Sequence, residues 1–254
     1  MTAYALIVLI AVFFLTSVVG VVTGSNSLIA VPVMFQFGIE PRIAVATNMF
    51  ALVFMSVGGT IPFLRQRKIE FRKISPLVFI TVIASALGAL IVGLITNEAI
   101  KLIVSIAMIA VVIFTLVKHR SGLEKKEIVS VGSTVLTFFL TFLLGIYGGL
   151  YSGGYVTILT ATLVAFFGMT YSEAVANTKF INVFSSLIAT IVFMWQGLVD
   201  YKLGLILGVT MFLGAYVGAN FVTKLNEIWI RRIFLTVVLL LAIKTFWDFI
   251  KFTA

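Results

Sequence analysis

The sequence has no cysteine, a single histidine and few acidic residues, and each shortage excludes a kind of chemistry. Without cysteine among its 254 residues, the chain has no disulfide, no thiolate nucleophile and no zinc–thiolate site. The one histidine, His119, stands between Lys118 and Arg120, which is typical of a solvated loop residue. No pair of acidic residues lies inside an apolar segment, and neither H-E-x-x-H nor G-x-S-x-G occurs. The sequence therefore predicts a protein that is not an enzyme.

Charge of either sign is scarce, and hydrophobic residues dominate. Charged residues make up 11% of the chain and hydrophobic residues 61%, whereas soluble domains are about one quarter charged. The mean hydropathy is +1.21, so the lipid bilayer must be the solvent for most of the chain. The net charge of +9 then indicates basic cytoplasmic loops rather than a nucleic-acid partner, because no basic stripe with interleaved aromatics lies outside the apolar segments.

Eight apolar segments are long enough to be membrane segments, since a spanning helix needs about 20 mostly apolar residues. They form two sets of four, separated by a polar stretch. The sequence predicts an all-α polytopic membrane protein, with a first repeat at 1–117, a basic cytoplasmic linker at 118–127 and a second repeat at 128–254. The segments cover about 3–37, 43–64, 74–96, 99–117, 128–167, 174–195, 203–222 and 230–250.

The first segment of each set is about 35–40 residues long and is interrupted midway by glycine or proline. Gly24 and Pro32 interrupt the first segment, and the glycine pairs at 148–149 and 153–154 interrupt the fifth. Both residue types disfavour a continuous helix. A break at membrane depth is tolerated only where the backbone lines a cavity or is buried in protein. These breaks therefore mark a candidate site.

An internal duplication at an offset of 130 residues relates the two sets. Phe37-Gly38 recurs as Phe167-Gly168, and the Ala-Val-Ala sequence at 44–46 recurs at 174–176. Gln66 also has a counterpart in Gln196. Because glycine and polar positions match as well as aliphatic ones, shared hydrophobicity does not explain the pattern. We interpret it as two homologous four-segment repeats.

The orientation of the repeats stays open at this point. If all eight segments cross the membrane, the halves are parallel; if the broken segment of each half is re-entrant, the halves are inverted, and both arrangements occur in transporters. The distribution of Lys and Arg is equally uneven in the two arrangements. Both place the loops at 65–73 and 118–127 in the cytoplasm.

Two duplicated groups of polar residues are candidates for substrate binding. Thr47-Asn48 and its counterpart Asn177-Thr178 lie near the start of the second segment of each repeat, followed in the second by Lys179. A lysine this deep is costly unless it is paired or hydrated, and an anionic substrate would pair with it. Bonds between helices are the alternative role for the amides and hydroxyls, and snorkelling is the alternative for the lysine.

The second group comprises the breaks themselves. A helix that begins at a break presents free amide donors and a positive dipole end, both suited to anions. Close packing through small residues is the alternative explanation. The candidate stretches are Gly24–Ser27 in the first repeat and Ser152–Tyr155 in the second. Within them, the predicted substrate-binding residues are Gly24, Ser25, Asn26, Gly153 and Gly154.

These patterns together resemble the sulfite exporter TauE/SafE family of membrane permeases, over essentially the whole chain. Ser25, Asn26 and Ser27 stand where that family usually has glycine. In the first half, the resemblance rests on Gly24-Ser25-Asn26-Ser27, Pro32 and Gly38-x-x-Pro41-x-x-Ala44-x-Ala46-Thr47-Asn48. In the second half, it rests on Gly145-x-x-Gly148-Gly149-x-x-x-Gly153-Gly154 and Gly168-x-x-x-x-x-Ala174-x-Ala176-Asn177-Thr178-Lys179.

The resemblance implies a plasma-membrane permease for sulfur-containing anions such as sulfite or organosulfonates, without a cofactor. We expect the substrate to bind between the two repeats near the bilayer midplane, with alternating access. A passive anion channel and a permease for another small organic anion remain alternatives. The sequence leaves the oligomeric state open, with a homodimer among the possibilities.

Overall fold

The computed structural model describes residues 3–24, 26–66, 69–117, 130–221 and 243. Within these ranges all regular structure is helical. Ser25, His119, the predicted linker 118–127 and all of the predicted segment 230–250 except Ile243 lie outside the described residues.

Six of the helices are long and apolar enough to cross a membrane, namely α1, α3, α4, α6, α8 and α9. Helices α2 and α7 have 10 and 12 residues and are too short to cross. The prediction of an all-α polytopic membrane protein is confirmed. The helices are α1 Ala3–Thr23, α2 Ser27–Gln36, α3 Pro41–Arg65, α4 Phe71–Leu94, α5 Asn97–Val117, α6 Val131–Leu150, α7 Tyr155–Phe166, α8 Tyr171–Trp195 and α9 Tyr201–Phe221.

Local sequence explains where the central helices α3 and α8 begin. Pro41 is the first residue of α3, where its missing N–H costs nothing. Helix α8 starts with a capping box: the Glu173 amide donates to Thr170 Oγ1 at 3.3 Å, and the Thr170 amide donates to Glu173 Oε2 at 3.0 Å. The two helices have 25 residues each, and α8 begins and ends 130 residues after α3. The duplication itself stays a prediction.

Helices α3 and α8 run antiparallel. The Asp200 amide, just after the end of α8, donates to Thr47 Oγ1 near the start of α3 at 3.0 Å. The Glu70 amide, just after the end of α3, donates to Asn177 Oδ1 near the start of α8 at 3.1 Å. We call the two ends of the molecule the Pro41 end and the Arg65 end. The predicted halves therefore have opposite orientations, as the inverted arrangement requires, and the parallel alternative is wrong.

Each broken segment is one span-length helix followed by a short helix that turns back. Helix α1 runs alongside α9 in the same direction, with Phe14 beside Gly214 and Val18 beside Gly218. Helix α2 then runs back, because Ser27 lies beside Asn48 and its end leads within a few residues to Pro41. The pair α1–α2 thus enters and leaves at the Pro41 end, as a re-entrant segment would.

Packing crosses the boundary between the two predicted repeats. Helix α4 packs mainly against α6 and α8, whereas α9 packs mainly against α1 and α3. Small residues allow these contacts: Gly149 lies against the Ser85 backbone, and Gly218 against the Val18 backbone. Two groups result, α1–α3–α9 and α4–α6–α8, and α3 and α8 form the contact between them.

Candidate substrate site

The two helix breaks meet in the interior of the protein. The hydroxyl of Thr157, in the first turn of α7, donates to the Thr23 carbonyl at the end of α1 at 2.6 Å. Tyr151, just before the second break, donates its hydroxyl to the Ser27 carbonyl at 2.9 Å. Both bonds join residues more than 120 positions apart in sequence. The sequence predicted two breaks, and the structure brings them to one place.

Glycine conformation is required at both breaks. Gly24 has φ of +76° and Gly154 has φ of +83°, values that disfavour any side chain. Space excludes one as well, since a Cβ on Gly24 would lie 2.8 Å from Val156 Cγ1, and one on Gly154 would lie 2.2 Å from Val111 Cγ2. The chain can therefore reverse direction here only with glycine.

A small buried cavity lies where the breaks meet. It is bounded by residues of both breaks, including Gly24, Asn26 and Ser152, and by Lys179 and Asn182 of α8. Its volume is about 10 Å³, which is room for about one water molecule. A multi-atom anion fits only if the surrounding helices move apart.

Lys179 is the charged group of this cavity. Only 3% of the residue is exposed, so the Lys179 side chain does not snorkel to the surface. Its Nζ donates to the Gly20 carbonyl in the last turn of α1 at 3.1 Å, where the negative end of a helix dipole favours a cation. Among the described residues, the one ion pair joins Arg42 and Glu40, so no described carboxylate neutralises Lys179. An ammonium group has three donors, and an anion in the cavity could accept from it.

Three buried asparagines supply amide groups here: Asn26 and Asn182 border the cavity, and Asn48 reaches it through Ser27. Asn26 donates to the sulfur of Met55 at 3.5 Å, and Asn48 donates to Ser27 Oγ at 2.9 Å. The side-chain oxygens of Asn26 and Asn48 are buried without a hydrogen-bond partner. Asn182 donates to Ser56 Oγ at 2.7 Å. Buried acceptors without a partner are costly, so the side-chain oxygens of Asn26 and Asn48 would gain from an occupant that donates a hydrogen bond, such as water.

The short helices α2 and α7 both begin beside this cavity and run away from it. Their N-termini carry partial positive charge, which favours an anion. The C-terminus of α1 lies there too and contributes the opposite sign, which Lys179 offsets. The local field therefore combines two helix N-termini with a buried ammonium group.

The structure separates the predicted site residues into two sets. Gly24, Asn26 and Lys179 border the cavity, and Asn48 reaches it through Ser27. The other residues serve helix contacts: Thr47 and Asn177 each accept an amide from the opposite half. Thr178 accepts from Thr160 of α7 at 3.3 Å. The Gly153 carbonyl accepts from Tyr147, and Gly154 caps α7.

Asn182 also borders the cavity and was not predicted from the sequence, whereas Ser27 and Ser152, which border it too, lie at the ends of the two candidate stretches. Asn182 follows Lys179 by three residues, so both lie on one face of α8. That spacing of polar residues in an apolar helix was a usable signal.

The fold and the comparisons define the class of this protein. It is a multi-pass membrane protein whose broken helices meet at a buried polar cavity, and it is similar over most of its length to proteins named as membrane transporters. Residues 9–245 match the family described as sulfite exporter TauE/SafE, and the chain belongs to that family.

Three relatives illustrate the similarity. A probable membrane transporter protein, ORF9, of a Sinorhizobium species is 27% identical over 235 residues, covering 92% of this chain and 90% of the relative. A probable membrane transporter protein of Haemophilus influenzae is 24% identical, covering 96% and 95%. The probable membrane transporter protein YfcA of Escherichia coli K12 is 25% identical, covering 95% and 89%. No solved structure matches the chain. The protein is thus a transporter rather than an enzyme.

Proposed function

We propose that this transporter carries a small sulfur-containing anion, such as sulfite or an organosulfonate, and that the anion binds at the cavity between the two helix breaks. The observation that carries the proposal is Lys179, a buried ammonium group at the cavity with a single carbonyl partner. Burying an unpaired charge is expensive, and an anionic substrate would provide the missing countercharge.

The remaining groups would hold the oxyanion by hydrogen bonds. Asn182 and Asn26 offer amide N–H groups now directed to a serine and a methionine. The N-termini of α2 and α7 add backbone dipoles. A sulfite or sulfonate group has several acceptor oxygens, so it can accept from Lys179 and from these amides at once. This arrangement favours an anion over a cation, because no carboxylate among the described residues borders the cavity.

Transport requires the cavity to open, since it has room for only about one water molecule. The two packing groups, α1–α3–α9 and α4–α6–α8, are the natural moving units. Their main contact is α3 against α8, and residues of both helices border the cavity. Rocking of one group against the other would expose the cavity first at one end and then at the other.

Uptake into vesicles containing the purified protein tests the proposal. We expect saturable sulfite or sulfonate uptake, stimulated when the same anion is loaded inside, and lost in Lys179→Met. The matched control is Lys202→Met, which removes an exposed lysine at the start of α9. Each variant is first checked by gel filtration and thermal unfolding.

The outcomes separate the alternatives. Uptake that neither saturates nor shows counterflow indicates a passive anion channel. Binding and uptake of a carboxylate in place of the sulfur anions indicates a permease for another organic anion. Wild-type uptake by a well-folded Lys179→Met protein removes the lysine from the site and refutes the proposed binding mode.

A further inference from the structure

A second and larger cavity lies at the Pro41 end, well away from the breaks. Its volume is about 260 Å³, and it is lined by Arg42, Gly93, Trp195, Gln196 and Leu198. The ends of α4 and α8 and the start of α3 therefore form its walls. Arg42 precedes Met55, which borders the central cavity, by 13 positions on α3, and at 1.5 Å per residue the two sites are about 20 Å apart.

Two polar side-chain atoms in this wall are buried without a partner. They are Nε of Arg42, a donor, and Oε1 of Gln196, an acceptor. The other end of the Gln196 amide is occupied, because Nε2 lies 3.3 Å from the Leu90 carbonyl and 3.4 Å from the Ala89 carbonyl. Gly93 permits this, since a Cβ there would lie 2.7 Å from Gln196 Nε2. The amide is thus held in place with its oxygen unpaired.

The charge of Arg42 is only partly neutralised. Its Nη2 lies 3.5 Å from Glu40 Oε1, which is long for a charge-assisted hydrogen bond. The same Glu40 oxygen accepts a shorter bond of 2.9 Å from Asn97 Nδ2. A guanidinium group has five N–H donors, so most of them remain for a ligand. The site presents a cation and a fixed acceptor together.

We propose that this second cavity binds an oxyanion that carries its own hydrogen-bond donor: the anionic oxygens pair with Arg42 and the donor pairs with Gln196. Hydrogen phosphate has this combination in one group. So does the headgroup of phosphatidylethanolamine, which joins a phosphate to an ammonium group. Trp195 is 80% exposed at the end of a spanning helix, where aromatic side chains mark the membrane–water interface. Both soluble anions and headgroups can reach that level.

Ligand-induced stabilisation tests the proposal, because a ligand that binds only the folded protein raises the apparent melting temperature. We would use the full chain in detergent with the Lys179→Met substitution, so that binding at the central cavity does not contribute. Inorganic phosphate is compared with sulfate at equal ionic strength, since sulfate lacks the donor. In a second arm, micelles with phosphatidylethanolamine are compared with micelles containing phosphatidylcholine, which has no N–H donor.

The matched variants are Trp195→Glu and Trp195→Gln, which differ by one charge at an exposed position. A carboxylate at the cavity wall should repel hydrogen phosphate, and like-charge contacts of this kind weaken binding by about tenfold or more. We expect the apparent Kd for phosphate to rise by that factor in Trp195→Glu but not in Trp195→Gln, and the apparent Kd for either probe to rise in Arg42→Gln. Because Arg42→Gln also removes the Glu40 contact, the tryptophan pair decides the matter if that variant folds poorly.

Stabilisation by phosphate alone identifies a soluble anion as the ligand, and stabilisation by phosphatidylethanolamine alone identifies a lipid headgroup. The proposal is overturned if neither probe stabilises the protein, or if phosphate stabilises it and the two tryptophan variants bind phosphate equally well. It is also overturned if sulfate and phosphatidylcholine match their donor-bearing counterparts. Since the central lysine is absent throughout, these results are independent of the function proposed above.

Discussion

The contact between α4 and α6 depends on a glycine that leaves no room for a methyl group. A Cβ on Gly88 would lie 1.9 Å from the Ile146 carbonyl oxygen and 2.8 Å from the Leu150 nitrogen. Both are backbone atoms, so no side-chain rotation can relieve the overlap. We therefore expect Gly88→Ala to force the two helices apart.

The magnitude follows from this geometry. Cβ atoms essentially never approach within 3.0 Å of such an atom, so the helices must separate by about 1.1 Å. Overpacking of a close contact costs about 1–3 kcal/mol, and a backbone clash belongs at the upper end. Alanine regains up to about 1 kcal/mol of helix propensity. The net loss is about 2 kcal/mol, or a melting temperature lower by about 4–8 °C for a chain of this size.

Thermal unfolding of the purified protein measures the effect, with Gly132→Ala as the control. At Gly132 the nearest atom to a new Cβ is Ser130 Oγ at 3.9 Å, so alanine fits and stability should be unchanged or slightly higher. A Cβ on Gly218, 130 residues after Gly88, would lie 2.2 Å from the Val18 carbonyl oxygen, so Gly218→Ala should respond as Gly88→Ala does. A Gly88→Ala protein as stable as wild type would refute the close packing of α4 on α6.

Two further predictions concern the joining of the breaks and the orientation in the membrane. Thr157→Val removes the hydroxyl that donates to the Thr23 carbonyl, and we expect the free energy of unfolding to fall by about 1 kcal/mol. Thermal unfolding measures the effect. The control is Thr210→Val, which loses only a bond within its own helix and should unfold at a higher temperature than Thr157→Val. Equal melting temperatures would contradict the contact. Because the chain has no cysteine, an introduced single cysteine can be labelled without background. A membrane-impermeant thiol reagent should label Lys202→Cys in intact cells and Arg72→Cys only after lysis. The opposite labelling pattern would reverse the predicted orientation.

Much of the fold is predictable because the bilayer imposes simple rules on the sequence. The length of apolar runs indicated the spanning helices, and Gly24 and Gly154 marked the breaks, since only glycine adopts the positive φ found there. What each helix face contacts is not encoded so directly. The relative orientation of the two halves depends on whether α2 turns back. The apolar run at 3–37 does not predict this, because it fits both a crossing segment and a re-entrant one.

The three adjacent residues 177–179 show why the candidate site was only partly predictable. Successive residues on an α-helix point about 100° apart, so the three side chains face different neighbours. Asn177 faces Glu70, Thr178 faces Thr160 of α7, and Lys179 faces Gly20 of α1. Sequence proximity grouped them, but only the packing of α8 determines which of them borders the cavity.

The packing of α4 against α6 and α8 also constrains the order in which the protein can assemble. Helix α4 is complete at residue 94, whereas its main partners are synthesised only with residues 131–150 and 171–195. Until then its glycine face is exposed to lipid, and contacts so distant in sequence form late in folding. A chain ending at residue 117 would contain α4 without either partner. The predicted first repeat is therefore not a unit of folding by itself, because the smallest such unit extends into the second half.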